Sequence, residues 1–327
     1  MRATFRLTTS EGLAGALASI EIAGDIDAAL QSLGIRPVPV GAIVLRNLAG
    51  VDVGLVGRIG ARAALVTPHG GTEIVSRLCA ALVRAGIARR ETSDPLDEYP
   101  EARSPFEARL LRALARARSP EAIDLLLDQP ARWRAAGMPD PPPDAPAPDR
   151  AHSRALDRLI DPPLVVGVGR SNIGKSTLLN ALAGRNVAIV SDEPGTTRDH
   201  VGAYLALDGL VVCYVDTPGV RPDQDELERA ATAIARQVAE RADLVLVLGD
   251  PHAEPVEPWP ALAAPRLRVM LRSDLGGASW ASDVRVCAIR DEGLGELAAA
   301  IRRRLSPREA ALRATPWRFW GGGGGAT

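Results

Sequence analysis

The stretch that decides the fold runs Leu164-Val165-Val166-Gly167-Val168-Gly169-Arg170-Ser171-Asn172-Ile173-Gly174-Lys175-Ser176-Thr177. It opens as an apolar run without polar alternation, the pattern of a strand buried on both faces. It continues as G-x-x-x-x-G-K-[ST] from Gly169 to Ser176, and helical spacing follows over 176–182. The strand aims the loop, and the helix N-terminus adds backbone N–H groups and the positive end of its dipole. Glycines let consecutive N–H groups face the α- and β-phosphates of a nucleotide. Lys175 supplies a point charge at the β/γ-phosphates, Ser176 offers a hydroxyl to Mg²⁺, and Ile173, Gly174 and Thr177 complete the loop and its exit.

Downstream, apolar runs at 211–215, 244–248, 267–271 and 284–288 alternate with helical stretches at 226–242 and 294–305. This βαβ alternation predicts an α/β fold with a doubly wound, mostly parallel sheet over 161–308, which binds its ligand beyond the strand C-termini. Upstream, PDPPPDAPAP from Pro139 to Pro148 cannot pack as a helix, so 137–160 reads as a proline-rich linker. Apolar positions recur at helical spacing over 101–136 and break at Ser119-Pro120, which predicts two short helices. Residues 1–100 mix strand-like runs at 42–45 and 63–66 with a helical pattern at 73–85, a small α/β or α+β domain. The stretch 309–327 ends in five consecutive glycines and reads as a flexible tail whose Trp317 and Trp320 touch the domain surface.

At 327 residues the chain is long enough for two cores. A net charge of -1 gives no case for bulk nucleic-acid binding, and 3% aromatic residues leave few stacking platforms. Cys79, Cys213 and Cys287 are too far apart for a disulfide framework or a metal cluster, and a reducing cytoplasm is expected. No stretch approaches the ~18 apolar residues of a membrane span.

Two further segments specify the site. Ala188-Ile189-Val190-Ser191-Asp192-Glu193-Pro194-Gly195-Thr196-Thr197-Arg198-Asp199 supplies Thr197, whose hydroxyl reaches Mg²⁺ and whose N–H reaches the γ-phosphate. Asp216-Thr217-Pro218-Gly219 ends a strand: Asp216 holds the metal through water, and Gly219 brings its backbone to the γ-phosphate. Val220 follows, so no glutamine stands there to orient the attacking water. Base recognition falls to Leu271-Arg272-Ser273-Asp274, which departs from N-K-x-D at its first two positions. Asp274 accepts from guanine N1–H and N2–H₂, which adenine cannot match. Leu271 stands where an asparagine would tie the loops, and Arg272 where a lysine stem would cover the ring. Val286-Cys287-Ala288 supplies the second base loop: Ala288 offers its N–H to guanine O6, and Cys287 reads as a small buried residue.

Together the GRxNxGKST loop, AIVSDxxGTTRD and DTPG resemble the TrmE/MnmE family of GTPases and its Era and Der relatives, and Asp225-Glu226-Leu227-Glu228-Arg229 is similar to TrmE in particular. The resemblance is strong over 164–305 and weak before it. It implies a Mg²⁺-dependent GTPase stimulated by K⁺, with Asn172, Ser191, Glu193 and Thr196 around the potassium ion. Asn172 equally suits a loop cap. It also implies that Glu228 orients water and acts in catalysis with Lys175 and Gly219, although acids here also suit a helix start. The family's N-terminal domain dimerises and binds a formyl-tetrahydrofolate at an HGG turn, and His69-Gly70-Gly71 is similar to that turn. His69 also suits a simple turn cap. A homodimer, a folate and a tRNA, rRNA or modification-enzyme partner follow as expectations, with tRNA wobble-uridine modification or a GTP-dependent switch as the process. The family's central helical domain is shortened here, and its C-terminal cysteine motif has no counterpart in RATPWRFW.

Overall fold

The computed structural model describes residues 3–9, 15–90, 94–99, 101–185, 202–217, 233, 235–255, 262–277 and 280–320. The chain divides into two compact units between Arg112 and Ala113. That division lies inside helix α4 (Pro105–Arg116), the element after the short α3 (Pro95–Glu98), rather than near residue 100.

The first unit is α+β. Its sheet has the order β3-β4-β5-β2-β1-β6, built from β1 (Thr4–Leu7), β2 (Ile20–Ala23), β3 (Ile43–Leu48), β4 (Asp52–Arg58), β5 (Ala63–Thr67) and β6 (Ala88–Arg89). All neighbours pair antiparallel except β1 with β6. Helices α1 (Ile26–Ser32) and α2 (Thr72–Arg84) cover one face, so Ile26, Leu30, Leu78 and Leu82 meet Phe5, Ile20, Ile22 and Val66 in the core. Asp25 starts α1 by accepting from the Ala28 N–H at 3.1 Å, a side-chain cap on an otherwise orphaned donor. On the opposite face Ile43, Leu45, Val53 and Leu55 remain exposed.

The second unit holds the predicted doubly wound sheet, order β12-β11-β10-β7-β9-β8. Strands β7 (Leu164–Gly169), β9 (Leu210–Asp216), β10 (Leu244–Gly249), β11 (Arg266–Met270) and β12 (Val284–Arg285) run parallel. Strand β8 (Gly202–Leu207), absent from the sequence reading, pairs antiparallel with β9. Its hairpin turn, Asp208-Gly209, has φ of 50° and 83°, the paired positive angles of the tight turn that Asp-Gly favours. Helices α7 (Lys175–Arg185) and α8 (Leu294–Leu305) follow β7 and β12.

Two expectations need correction. Within 137–160, only the proline run lacks regular structure: α6 (Arg150–Ile160) begins at Asp149, whose carboxylate accepts from the His152 N–H at 2.9 Å, and buries Leu156, Leu159 and Ile160. Nor is 309–320 a loose tail. It begins as α9 (Arg308–Ala311), and Trp317 is fully buried. Its backbone N–H donates to Gln129 Oε1 at 2.7 Å and its indole N–H to Asp157 at 2.9 Å, while Trp133 of α5 (Pro120–Ala135) donates to the Trp317 carbonyl at 3.2 Å. The buried tryptophan, its three hydrogen bonds and the burial of Phe319, Ala310 and Ala311 oppose the entropy cost of ordering the segment.

Candidate nucleotide-binding site

On the phosphate side, the glycines are dictated by contact. A Cβ on Gly167 would lie 2.2 Å from the Tyr214 hydroxyl, and one on Gly169 would lie 2.6 Å from Ile173 Cδ1 and 2.7 Å from the Leu248 carbonyl. The loop then takes left-handed backbone at Asn172 (φ 63°) and Gly174 (φ 104°), the kind of conformation in which successive N–H groups can face an anion. Lys175 is only 8% exposed and arches back over the loop, its Nζ donating to the carbonyls of Gly169 at 3.4 Å and Arg170 at 3.0 Å. Burial holds its ammonium below the ordinary lysine range, against the opposing pull of Asp216. An anionic ligand would relieve that desolvation by pairing the charge.

The Ser176 hydroxyl donates to Asp216 Oδ2 at 3.1 Å, so the hydroxyl and carboxylate predicted to serve Mg²⁺ converge. Burial pushes the Asp216 carboxyl up, while Lys175, Ser176 and the Thr217 N–H lower it. Its other oxygen, Oδ1, is buried with no hydrogen-bond partner among the described residues. A buried carboxylate oxygen left open beside a serine hydroxyl fits a hard divalent cation or its water. Thr217, beside it, donates to the Gly167 carbonyl at 2.8 Å and fixes the end of β9 against β7. Thr177 occupies the first turn of α7.

On the base side, Asp274 sits in a single 3₁₀ turn (Ser273–Leu275) just after β11. The Cys287 thiol donates to its Oδ1 at 3.2 Å, and Arg290 Nη2 lies 3.8 Å from its Oδ2. Cys287 is therefore more than a small buried residue: it orients the carboxylate expected to read guanine. The loop carrying Cys287 and Ala288 is closed by paired backbone bonds between Cys287 and Glu292, at 3.0 and 3.1 Å, and by Gly293, where a Cβ would lie 2.0 Å from the Arg285 carbonyl. Leu271 is buried, with its N–H on the Gly249 carbonyl at 2.8 Å. Arg272 Nη2 donates to the Asn172 carbonyl, so the arginine itself joins the base loop to the phosphate loop.

Gly169, Asn172, Ile173, Gly174, Lys175, Ser176, Asp216, Arg272, Asp274 and Cys287 thus gather around the C-terminal ends of β7, β9 and β11. Ser191, Glu193, Thr196, Thr197, Gly219 and Glu228 lie outside the described residues. In the first unit, His69 donates its N–H to Asp52 at 2.8 Å and sets its ring Nδ1 3.0 Å from the same carboxylate. Burial pushes the Asp52 carboxyl up, but these bonds outweigh it and hold it low. Asp250, Trp280 and Arg290 were not singled out by sequence, because none belongs to a spaced motif.

A family model described as 50S ribosome-binding GTPase matches residues 164–266. The tRNA modification GTPase MnmE of Acidiphilium cryptum is 45% identical over 151 residues, covering 46% of this chain and 35% of that protein. Residues 164–266 thus form a GTPase domain similar to that of the TrmE/MnmE proteins. An MnmE of Thermus thermophilus is 44% identical over 144 residues, 43% of this chain and 33% of its own. The chain thus spans about a third of the length of the curated relatives it matches. A solved structure of Aquifex aeolicus Era with GDP and aluminium fluoride shares 28% identity over 44% of this chain and 56% of that one, with a TM-score of 0.36. Among the described residues, no helix is long and apolar enough to cross a membrane.

Proposed function

We propose that the protein binds GTP with Mg²⁺ and hydrolyses it to GDP and phosphate, that K⁺ stimulates the reaction, and that it acts in the cytoplasm. The observation that carries this reading is the convergence of Lys175, Ser176 and the open Asp216 oxygen at the end of β7, with Asp274 held by Cys287 at the base end. Lys175 and the loop N–H groups stabilise charge that develops on the β/γ-bridging oxygen as the terminal phosphoryl group leaves. Ser176 and Asp216 would hold Mg²⁺, which supplies charge neutralisation between the phosphates. Asn172 and the Ser191–Thr196 loop are assigned to K⁺, Thr197 and Gly219 to the γ-phosphate, and Glu228 to the attacking water, all by resemblance.

The MnmE relatives are named for tRNA modification, which supports that process here; the resemblance extends it to wobble uridine, with a folate at the His69 turn of the first unit and tRNA, rRNA or a modification enzyme as partner. A homodimer through the first unit suits the exposed apolar face of β3 and β4, since contiguous apolar surface of this kind is normally covered. Leu45→Asp should halve the mass seen by light scattering.

Hydrolysis of GTP and ATP in K⁺ and in Na⁺, by wild type and Glu228→Ala, tests the enzyme reading. GTP turnover should exceed ATP turnover, rise in K⁺ and fall in the variant. Rates indifferent to the cation remove the potassium assignment. Tight GTP binding without turnover in either salt would favour the second reading, a GTP-dependent switch or ribosome-assembly factor, toward which the 50S ribosome-binding description of the matching model points.

A further inference from the structure

Leu271 removes the asparagine that would tie the base loop to the phosphate loop, yet the two loops are tied. Arg272 adopts φ 51° and ψ 44°, left-handed backbone that a non-glycine residue holds only when its surroundings enforce it. Its Nη2 donates to the carbonyl of Asn172, itself left-handed at φ 63°. The other arm, Nη1, lies 3.6 Å from Asp250 Oδ2. Asp250 is buried at the end of β10 and rigid: its Oδ1 accepts from the His252 N–H at 2.9 Å, and its carbonyl accepts from the Trp280 indole at 3.0 Å. A Cβ on Gly174 would lie 3.9 Å from both Arg272 Nε and Leu271 Cδ1, so both side chains back the phosphate loop.

We propose that Asp250 is a positioning residue for guanine nucleotide binding: it anchors the Arg272 guanidinium, which bridges to the Asn172 carbonyl and replaces the tie that Leu271 cannot make. The proposal rests on the GTP-site reading above. The fork of a guanidinium is what allows one side chain to meet a carboxylate and a carbonyl at once, which a lysine ammonium on a flexible stem does with less geometric control. With both arms engaged, the Arg272 stem remains to cover the base.

The test is fluorescent GDP and GTP titration of the full chain with Asp250→Asn, Arg272→Lys, Arg272→Ala and the double variant Asp250→Asn/Arg272→Ala. Asparagine keeps an oxygen for the His252 N–H and removes only the charge. Each single variant should lose about fivefold or more in affinity, equally for GDP and GTP, the order expected for a charge-assisted bond. KM should rise more than kcat falls. The double variant should be no weaker than Arg272→Ala, because both changes break one linkage. Additive losses, or unchanged affinity in Asp250→Asn, would overturn the proposal. If Asp250→Asn does not fold, the half-exposed Arg272 variants still decide: wild-type affinity in both overturns it. Failure of the wild type itself to bind GTP would instead sink the GTPase reading.

Discussion

The phosphate half and the base half of the site are held by different means. On the phosphate side positions are forced by close packing: a Cβ on Gly167 or Gly169 would collide with Tyr214, with Ile173 or with the Leu248 carbonyl, and Lys175 is clamped by two main-chain carbonyls. On the base side backbone still closes the loop at Glu292 and Gly293, but the ties on Asp274 and Asn172 come from side chains, Cys287 and Arg272. Close-packed glycine positions tolerate little variation, because no larger residue fits without displacing a neighbour. Side-chain ties can be exchanged, provided the new partners reach the same groups. This contrast explains how a P-loop that follows its motif at every fixed position coexists with a base motif altered at its first two positions.

The largest effect should come from breaking the phosphate half. Lys175→Ala removes the buried charge and should weaken GTP and ATP alike by at least about 100-fold in calorimetric titration, as expected when one partner of a desolvated charge pair is lost. Selective loss of only one nucleotide would contradict this division of labour. Breaking the base half should change preference instead. Asp274→Asn substitutes a donor for one acceptor, which suits the 2-oxo group of xanthine rather than the guanine amine, so competition titrations should show preference moving from GTP to XTP by about 100-fold or more. Retained preference for GTP would remove Asp274 from base reading.

Smaller effects would sharpen the contrast through stability. Gly167→Ala must displace the Tyr214 hydroxyl, and overpacking of this kind costs about 1–3 kcal/mol. Its melting temperature should drop by several degrees, whereas Cys287→Ala on the base side should leave it within a degree or two. The docked C-terminal segment adds a pH dependence. Burial pushes the Asp157 carboxyl up to about 6. The folded chain therefore holds a proton that the unfolded chain releases near pH 4, and this contribution to stability is present below pH 4 and lost as pH rises to about 6. Asp157→Asn should flatten that decline in thermal melts between pH 4 and 6.5. An unchanged slope would show that the Trp317 contact does not sense this carboxyl.

Much of the second unit was legible because its signals are local. Four apolar runs and the strand–loop–helix order around Gly169 to Ser176 place the sheet and the phosphate cradle without tertiary information. The missed elements have a shared cause. The α6 helix hides behind ten proline-rich residues, and its cap at Asp149 is a single residue. Strand β8 has an apolar run, Ala203–Leu207, but without the β-branched residues that mark the other strands, and its best signal is the Asp208-Gly209 turn. Trp317 looks like part of a tail because the groups that bury it, Gln129, Trp133 and Asp157, lie more than 150 positions away.

By itself the sequence determined which residues are expected to hold phosphate and that Asp274 survives in an altered base motif, since both readings depend on residue type at fixed spacing just after a strand. Only the tertiary structure decided what replaces the lost asparagine. Asp250, Arg272 and Asn172 come from three different strand ends, and no periodicity links them. They meet because the parallel sheet brings the C-terminal ends of β7, β10 and β11 side by side.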